Sequence, residues 1–325
     1  MYNVYNPDYH WEQPYLGILK ECLESGDPRN VRNGSTVSKF FKSMSFDLTQ
    51  GFPLLTTKRV PFDMVLAELL WFIEGGMKPN TDRGEIFGRM STSRLSEIYG
   101  KPCHIWDGDA SNFAKLGKDK FEGDCGRIYG TQWRDFSVYE QIKTNDQGRE
   151  IFVRTKKDQL AELIHKIKTD PNGRYARVTA WNPAELQEMA LPACHTDFQC
   201  YVGPNSLGEK ALHMHMNQRS CDTFLGVPFN IASYSILLHM IAQVCGLAVG
   251  EMHITLNDYH IYTTEGRSHV EQVKEQLKRI PYAIPKIWLN PEITDIDDFT
   301  MRDVKIVGYI SHPAISAGLS TANIK

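Results

Sequence analysis

Residues 211–219, ALHMHMNQR, alternate without a break. Leu212, Met214 and Met216 fall on one side, and His213, His215, Asn217 and Arg219 on the other. Successive side chains of a strand point to opposite faces, so this stretch predicts a strand with one apolar and one polar face. A chain with such a strand must build a sheet and cover that apolar face. Other segments say with what. Residues 62–75, FDMVLAELLWFIEG, have helical spacing and end at Gly75 and Gly76. Residues 158–169, DQLAELIHKIKT, predict an amphipathic helix, and 234–247, YSILLHMIAQVCGL, an apolar central one. RVTAWNP (177–183), DFQCYVG (197–203) and EMHITLNDYHIY (251–262) read as further strands. Residues 76–127, rich in Gly, Ser, Asp and Lys, read as a surface excursion with short helices. Strands and helices mixed without a βαβ repeat predict an α+β domain around one main sheet. Neither a dinucleotide fingerprint nor a P-loop is present.

The 325 residues suffice to bury a core. A net charge of −3 gives no overall basic excess for nucleic acid or membranes, though clustered arginines could hold one phosphate. No run of ~18 apolar residues predicts a membrane span. The opening MYNVYNPDYHWEQPYL lacks the basic-then-apolar order of a signal peptide. Seven cysteines, an odd number with no CxxC pair, predict reduced thiols in a cytoplasmic setting (the host cytoplasm, if the source is viral) and argue against a zinc cluster. His213 and His215 could bind a metal. No third ligand stands at convincing spacing, so a polar strand face is expected and no metal.

Two residues carry candidate chemistry. Glu68 has Met64, Val65, Trp71 and Phe72 as helical neighbours, a face that desolvates a carboxylate, raises its pKa and suits it to proton handling. The alternative is a glutamate at the edge of the core. Cys194 lies in LPACHTDFQC, where prolines and polar residues suggest a bend. A cysteine becomes a nucleophile when positive charge or hydrogen-bond donors stabilise its thiolate. Adjacent His195 would point the other way in a strand, so arginine is the better candidate. NQRSCDTFLGVPFNIASY (217–234) offers Gln218, Arg219, Ser220, Asp222 and Asn230, with Gly226 and Pro228 interleaved. Arg219 and Ser220 together suit a phosphate. A buried structural cysteine beside a polar loop fits the same residues.

Eight stretches, in order, resemble the thymidylate synthase and pyrimidine hydroxymethylase family: GFPLLTTKR (51–59), ELLWFIEG (68–75), IWDG (105–108), GRIYGTQWRDF (126–136), AWNPAELQEMALPACH (180–195), QRSCDTFLGVPFNIASY (218–234), HIY (260–262) and GYISHPAI (308–315). The resemblance implies a single domain over residues 1–325 in a three-layer fold: one large mixed sheet, covered by helices, whose free face packs across a homodimer interface. It implies that Cys194 attacks C6 of a pyrimidine nucleotide, whose C5 then takes a one-carbon unit from 5,10-methylenetetrahydrofolate. Arg32, Gln218, Arg219 and Ser220 would bind the nucleotide and its 5′-phosphate, with Arg174 reaching the partner subunit's phosphate. His260 and Tyr262 would hold the sugar hydroxyl. Glu68, Tyr129, His195 and Asp222 would organise water and move protons. Ile105, Trp106, Leu191, Asp222, Gly226 and Phe229 would line the folate pocket, with Lys58 near its glutamate tail. An amide at Asn230 can donate to O4 and accept from N3–H, which implies dUMP over dCMP; the cytosine-specific relatives carry aspartate there.

The chain departs from the family pattern in places. The phosphate loop reads VRNGSTV (31–37), keeping Arg32 without the preceding acid. The usual arginine pair is Arg174-Tyr175, with Arg177 a possible substitute. Ala193 replaces a proline and Asn257 a glycine. An insertion is expected within residues 77–104, and EGRS follows HIYTT as another. Where the family ends in a short apolar tail, this chain continues as the polar SAGLSTANIK (316–325). A tail that closes the site excludes water, so folate can reduce the C5 methylene to give dTMP; a wetter site lets water add. The altered tail gives 5-hydroxymethyl-dUMP as the expected product, with dTMP the alternative. A non-catalytic nucleotide- or RNA-binding protein on this scaffold is a third reading.

Overall fold

The computed structural model describes residues 10–76, 88–117, 120–144, 147–148 and 150–319. Helix α1 (Gln13–Ser25) leads into strands β1 (Asp27–Val31) and β2 (Gly34–Asp47), then helix α2 (Phe62–Glu74). Next come β3 (Met90–Ser91), α3 (Thr92–Tyr99), α4 (Asp107–Ala114), β4 (Asp124–Gly126), α5 (Tyr129–Arg134), β5 (Phe136–Thr144), β6 (Glu150–Lys157) and α6 (Gln159–Thr169). Strands β7 (Arg177–Thr179), β8 (His195–Pro204) and β9 (Lys210–Asp222) follow, then α7 (Gly226–Val244), β10 (Ala248–Tyr262), α8 (Val270–Leu277), β11 (Lys286–Leu289) and β12 (Val304–Val307). Two compact units result, Met1–Leu66 with Cys200–Lys325, and Ala67–Gln199.

The fold is α+β, built on a mixed sheet covered by helices. In the first unit the strand order is β1-β2-β10-β9-β8. The apolar side of β9 is buried as its alternation predicts: Leu212, Met214 and Met216 are buried, His215 and Arg219 exposed. Strands β9 and β10 are parallel, with Ile254 opposite Met216, and α7 makes the crossover. The sequence shows no βαβ repeat, and this single crossover leaves no trace in it because its helix is apolar all round, so no amphipathic rhythm marks it. α7 packs on β9 and β10. By length and mean composition it is apolar enough to cross a membrane, though Asn230, His239 and Gln243 interrupt it, and most of it is buried as a core helix.

α7 also starts at Gly226, well before the expected Tyr234. Asp222 Oδ1 accepts from Phe224 and Leu225 N–H, both at 3.0 Å, turning the chain out of β9. Pro228 then fits the first turn, where its missing N–H costs nothing. What reads as a polar loop over 222–230 is thus a helix start. Strand 177–183 is shorter than expected, because Asn182 Oδ1 accepts from Ala184 N–H and starts a 3₁₀ turn at Pro183.

In the second unit β7 pairs antiparallel with residues 197–199 of β8. α2 ends at Glu74 because Gly75 and Gly76 adopt φ of +64° and +68°. Asp158 caps α6 by accepting from Ala161 N–H at 2.9 Å and holds buried Arg134 at 3.0 Å. The excursion after Gly76 contains α3 and α4; residues 77–87 of the expected insertion, and 320–325 of the tail, lie outside the described residues.

Candidate active site

Cys194 sits, partly exposed, in the bend that precedes β8. The bend is tied to the β4–α5 segment: Arg127 N–H donates to the Glu188 carbonyl at 2.7 Å and Ala190 N–H to the Cys125 carbonyl at 3.0 Å. Buried Arg127 Nε and Gln132 Nε2 both donate to Glu185 Oε2, at 2.9 and 2.8 Å. Sequence reading missed this clamp, because Arg127 and Glu185 lie far apart in sequence among other charged and polar residues.

The Cys194 N–H donates to the Tyr129 hydroxyl at 2.8 Å. Buried Tyr129 stacks on His195, with ring centroids 4.1 Å apart and planes 20° from parallel. Burial pulls the His195 imidazole down to about 3, so the ring is neutral near pH 7. A neutral imidazole relays protons but brings no positive charge to a thiolate. Among the other cysteines, burial pushes Cys22 up to about 12 and raises Cys103, Cys125 and Cys200 too. Those thiols are inert.

Glu68 Oε1 accepts from Trp106 Nε1–H at 2.7 Å. Dehydration pushes the carboxyl up to about 7, against the indole N–H, which favours the ionised form. Trp106 is fixed against Trp71, Phe72 and Tyr129, at centroid distances of 5.8, 6.3 and 5.9 Å. Ile105 and Leu191, in the same unit, are half-buried. Arg174 is exposed in the loop between α6 and β7, beside Tyr175. Arg177 pairs with Asp197 at 2.8 Å and is engaged there.

The first unit holds the other candidates. Arg32 and Asn33 form the turn between β1 and β2, where Arg32 is exposed. Gln218, nearly fully buried, donates to Asn230 Oδ1 at 2.9 Å. That bond orients the Asn230 amide in the first turn of α7 with its nitrogen as a donor. Gln218 Oε1 is a buried acceptor without a hydrogen-bond partner, the kind of atom a ligand donor satisfies. Arg219 is exposed and Ser220 half-buried at the end of β9. His260 Nδ1 lies 3.2 Å from Asp258 Oδ1, and the Tyr262 hydroxyl accepts from Asn33 Nδ2 at 2.7 Å. Gly226, Phe229 and Asn230 share the opening turn of α7. Burial works against charge on Asp222, but His269 and the Leu225 amide outweigh it and hold the carboxyl below its ordinary range. Lys58 is buried; it donates to the Phe224 carbonyl and lies 3.6 Å over the Phe224 ring. Burial pulls its ammonium down to about 7, against the pull of Asp222.

Strand β10 brings Glu251 and His253 to His213, with ligand atoms within 4.8 Å of one another; His215, the other half of the pair the sequence offered, is not in this group. His213 Nδ1, however, accepts from Glu251 N–H at 3.0 Å. Its Nε2 therefore carries the proton and offers no lone pair to a cation.

A family model described as thymidylate synthase matches residues 13–321. The chain belongs to the thymidylate synthase family. It is 42% identical over 314 residues to a bifunctional dihydrofolate reductase-thymidylate synthase of Zea mays, covering 95% of this chain and 54% of that protein. It is 42% identical to a thymidylate synthase of Symbiobacterium thermophilum and 40% identical to one of Listeria monocytogenes. Those alignments cover 95% and 94% of this chain and 99% of each relative. As a thymidylate synthase-family member it is a one-carbon transferase of nucleotide biosynthesis, with methylenetetrahydrofolate as co-substrate and no metal requirement. One family departure is accommodated locally: Asn257 donates to Asn217 Oδ1 at 2.8 Å and to the Gln218 carbonyl at 3.0 Å.

Proposed function

We propose that the chain methylates dUMP at C5, releasing dTMP and dihydrofolate. The observation that carries this is one catalytic group: partly exposed Cys194 held through Tyr129, a neutral His195 stacked alongside, and Glu68 poised near neutrality. The Cys194 sulfur adds to C6 of the uracil, and the displaced electron pair makes C5 nucleophilic. Asn230 Nδ2 donates to O4 as negative charge develops there, with Gln218 fixing the amide. Bound folate supplies the methylene carbon; C5 then gives up its proton to water, and the folate's hydride completes the methyl group. Glu68 exchanges protons through water beside Tyr129 and His195. Elimination of the sulfur from C6 regenerates Cys194.

Arg32, Arg219 and Ser220 hold the 5′-phosphate, joined by Arg174 from a second copy in a homodimer. His260 and Tyr262 hold the sugar hydroxyl. On the folate side Asp222, an ionised carboxylate steadied by the Phe224 and Leu225 amides, fits the N–H donors of a pterin. The family resemblance gives Trp106, Ile105 and Leu191 in one unit, and Gly226 and Phe229 in the other, as apolar folate contacts, with Lys58 for the glutamate end. The polar tail favoured hydroxymethylation. Two observations favour methylation instead: the relatives' names, and a tail anchored at Gly318, whose carbonyl accepts from buried His269 at 2.9 Å. Incubation with dUMP and methylenetetrahydrofolate, followed by chromatography, tests the proposal. dTMP with an equal amount of dihydrofolate is expected; 5-hydroxymethyl-dUMP with tetrahydrofolate would overturn it.

A further inference from the structure

One buried side chain bridges the tail and Asp222. His269 occupies the N-cap position of α8 and is fully buried. Its Nε2–H donates to the Gly318 carbonyl at 2.9 Å. The ring's other nitrogen, Nδ1, lies 3.7 Å from Asp222 Oδ1 and makes no hydrogen bond. With its single proton on Nε2, a neutral imidazole turns a lone pair toward that carboxylate. Only the imidazolium presents a donor to both sides.

Asp222 faces the ring from the end of β9 and Lys58 from the segment before α2. Tyr262, at the end of β10, lies edge-on with its ring centroid 5.6 Å away, and the Phe224 ring is at 5.5 Å. On its own helix Glu271 is exposed, and the N-terminal dipole opposes positive charge. Burial and Lys58 also disfavour the charge; Asp222 and the Gly318 carbonyl outweigh them, and the imidazole sits above its ordinary range.

We propose that His269 is a positioning residue that donates to both neighbours at once, tying the tail at Gly318 to the carboxylate of Asp222. Tail attachment and the aim of Asp222 are then set by one proton. The catalytic consequence rests on the proposed folate-side role of Asp222; the link itself does not. Protonation stabilises the link below the free imidazole pKa, and the contribution is lost as pH rises through the raised folded value.

The test uses the full chain without ligands, by ¹⁵N NMR of labelled histidine and by carboxypeptidase trimming past residue 318, each against pH. Trimming is referenced to a free tail peptide to remove the protease's own pH dependence. His269 is expected to be protonated on both nitrogens at pH 6 and to titrate above the free value. Tail trimming should accelerate over that same interval. His269→Asn, too short to reach Gly318, should trim about tenfold faster at pH 6 and lose the pH dependence. His269→Gln, which keeps a donor toward Gly318 but cannot be charged, should restore slow trimming without pH dependence. In turnover assays it should raise the folate KM about tenfold while leaving dUMP affinity within twofold. A neutral His269 at pH 6, or trimming unaffected by His269→Asn, overturns the proposal. If the NMR and trimming behave as expected but dUMP is not turned over, the functional reading falls and the link stands.

Discussion

Replacing Trp106 with Phe isolates the one hydrogen bond that holds the Glu68 pKa down. The substitution keeps an aromatic ring against Trp71, Phe72 and Tyr129 while deleting the Nε1–H that Glu68 Oε1 accepts at 2.7 Å. A hydrogen bond to a charged group contributes about 1.5–3 kcal/mol net. At about 1.4 kcal/mol per pKa unit, its loss raises the carboxyl by about 1–2 units. Dehydration already sets Glu68 at about 7. The variant should therefore titrate near 8–9, and at pH 7 its ionised fraction falls from about half to about a tenth or less. The direct assay is ¹³C NMR of glutamate-labelled protein without ligands, with the carboxyl resonance assigned by its absence in Glu68→Gln. The acid limb of the pH–kcat profile should move alkaline by the same amount, so activity lost at pH 7 recovers at pH 9. A Glu68 that titrates in Trp106→Phe at or below its native value would refute the reasoning.

Cys194→Ala should lower turnover roughly 10⁶-fold while dUMP affinity by calorimetry stays within a few fold, since the sulfur acts after binding. Asn230→Asp should lower kcat/KM for dUMP by roughly 10²-fold and raise it for dCMP, measured in competition, because a carboxyl no longer donates to O4 as the amide does. Asp158→Ala should cost about 1 kcal/mol from the lost α6 cap and more from the lost Arg134 pair, whereas Asp158→Asn should recover the cap alone; urea melts of the three proteins separate the two contributions.

Much of the fold could be read from periodicity. The β9 alternation placed Leu212, Met214 and Met216 inward, and α2 stops where Gly75 and Gly76 predicted. α7 was misread over its first turns because Asp222, Gly226 and Pro228 are turn-forming residues as well as helix-starting ones. Its role as a crossover was hidden because a helix buried on all sides shows no amphipathic stripe. The hydrophobic neighbours of Glu68 announced its raised pKa, but the Trp106 hydrogen bond joins residues far apart in sequence and carries no local signal. The same distance hid the Arg127–Glu185 clamp and His269. Strand alternation argued against His195 as a direct partner for Cys194, and only the structure shows Tyr129 touching both, a contact between residues far apart in sequence.

The most direct test of the account is mass spectrometry of the protein after incubation with 5-fluoro-dUMP and methylenetetrahydrofolate. Fluorine at C5 cannot leave as a proton, so the reaction should stop with nucleotide and folate covalently attached. The account predicts an adduct of both masses on the peptide that contains Cys194, absent in Cys194→Ala. An unmodified chain, or an adduct on another cysteine, would contradict it.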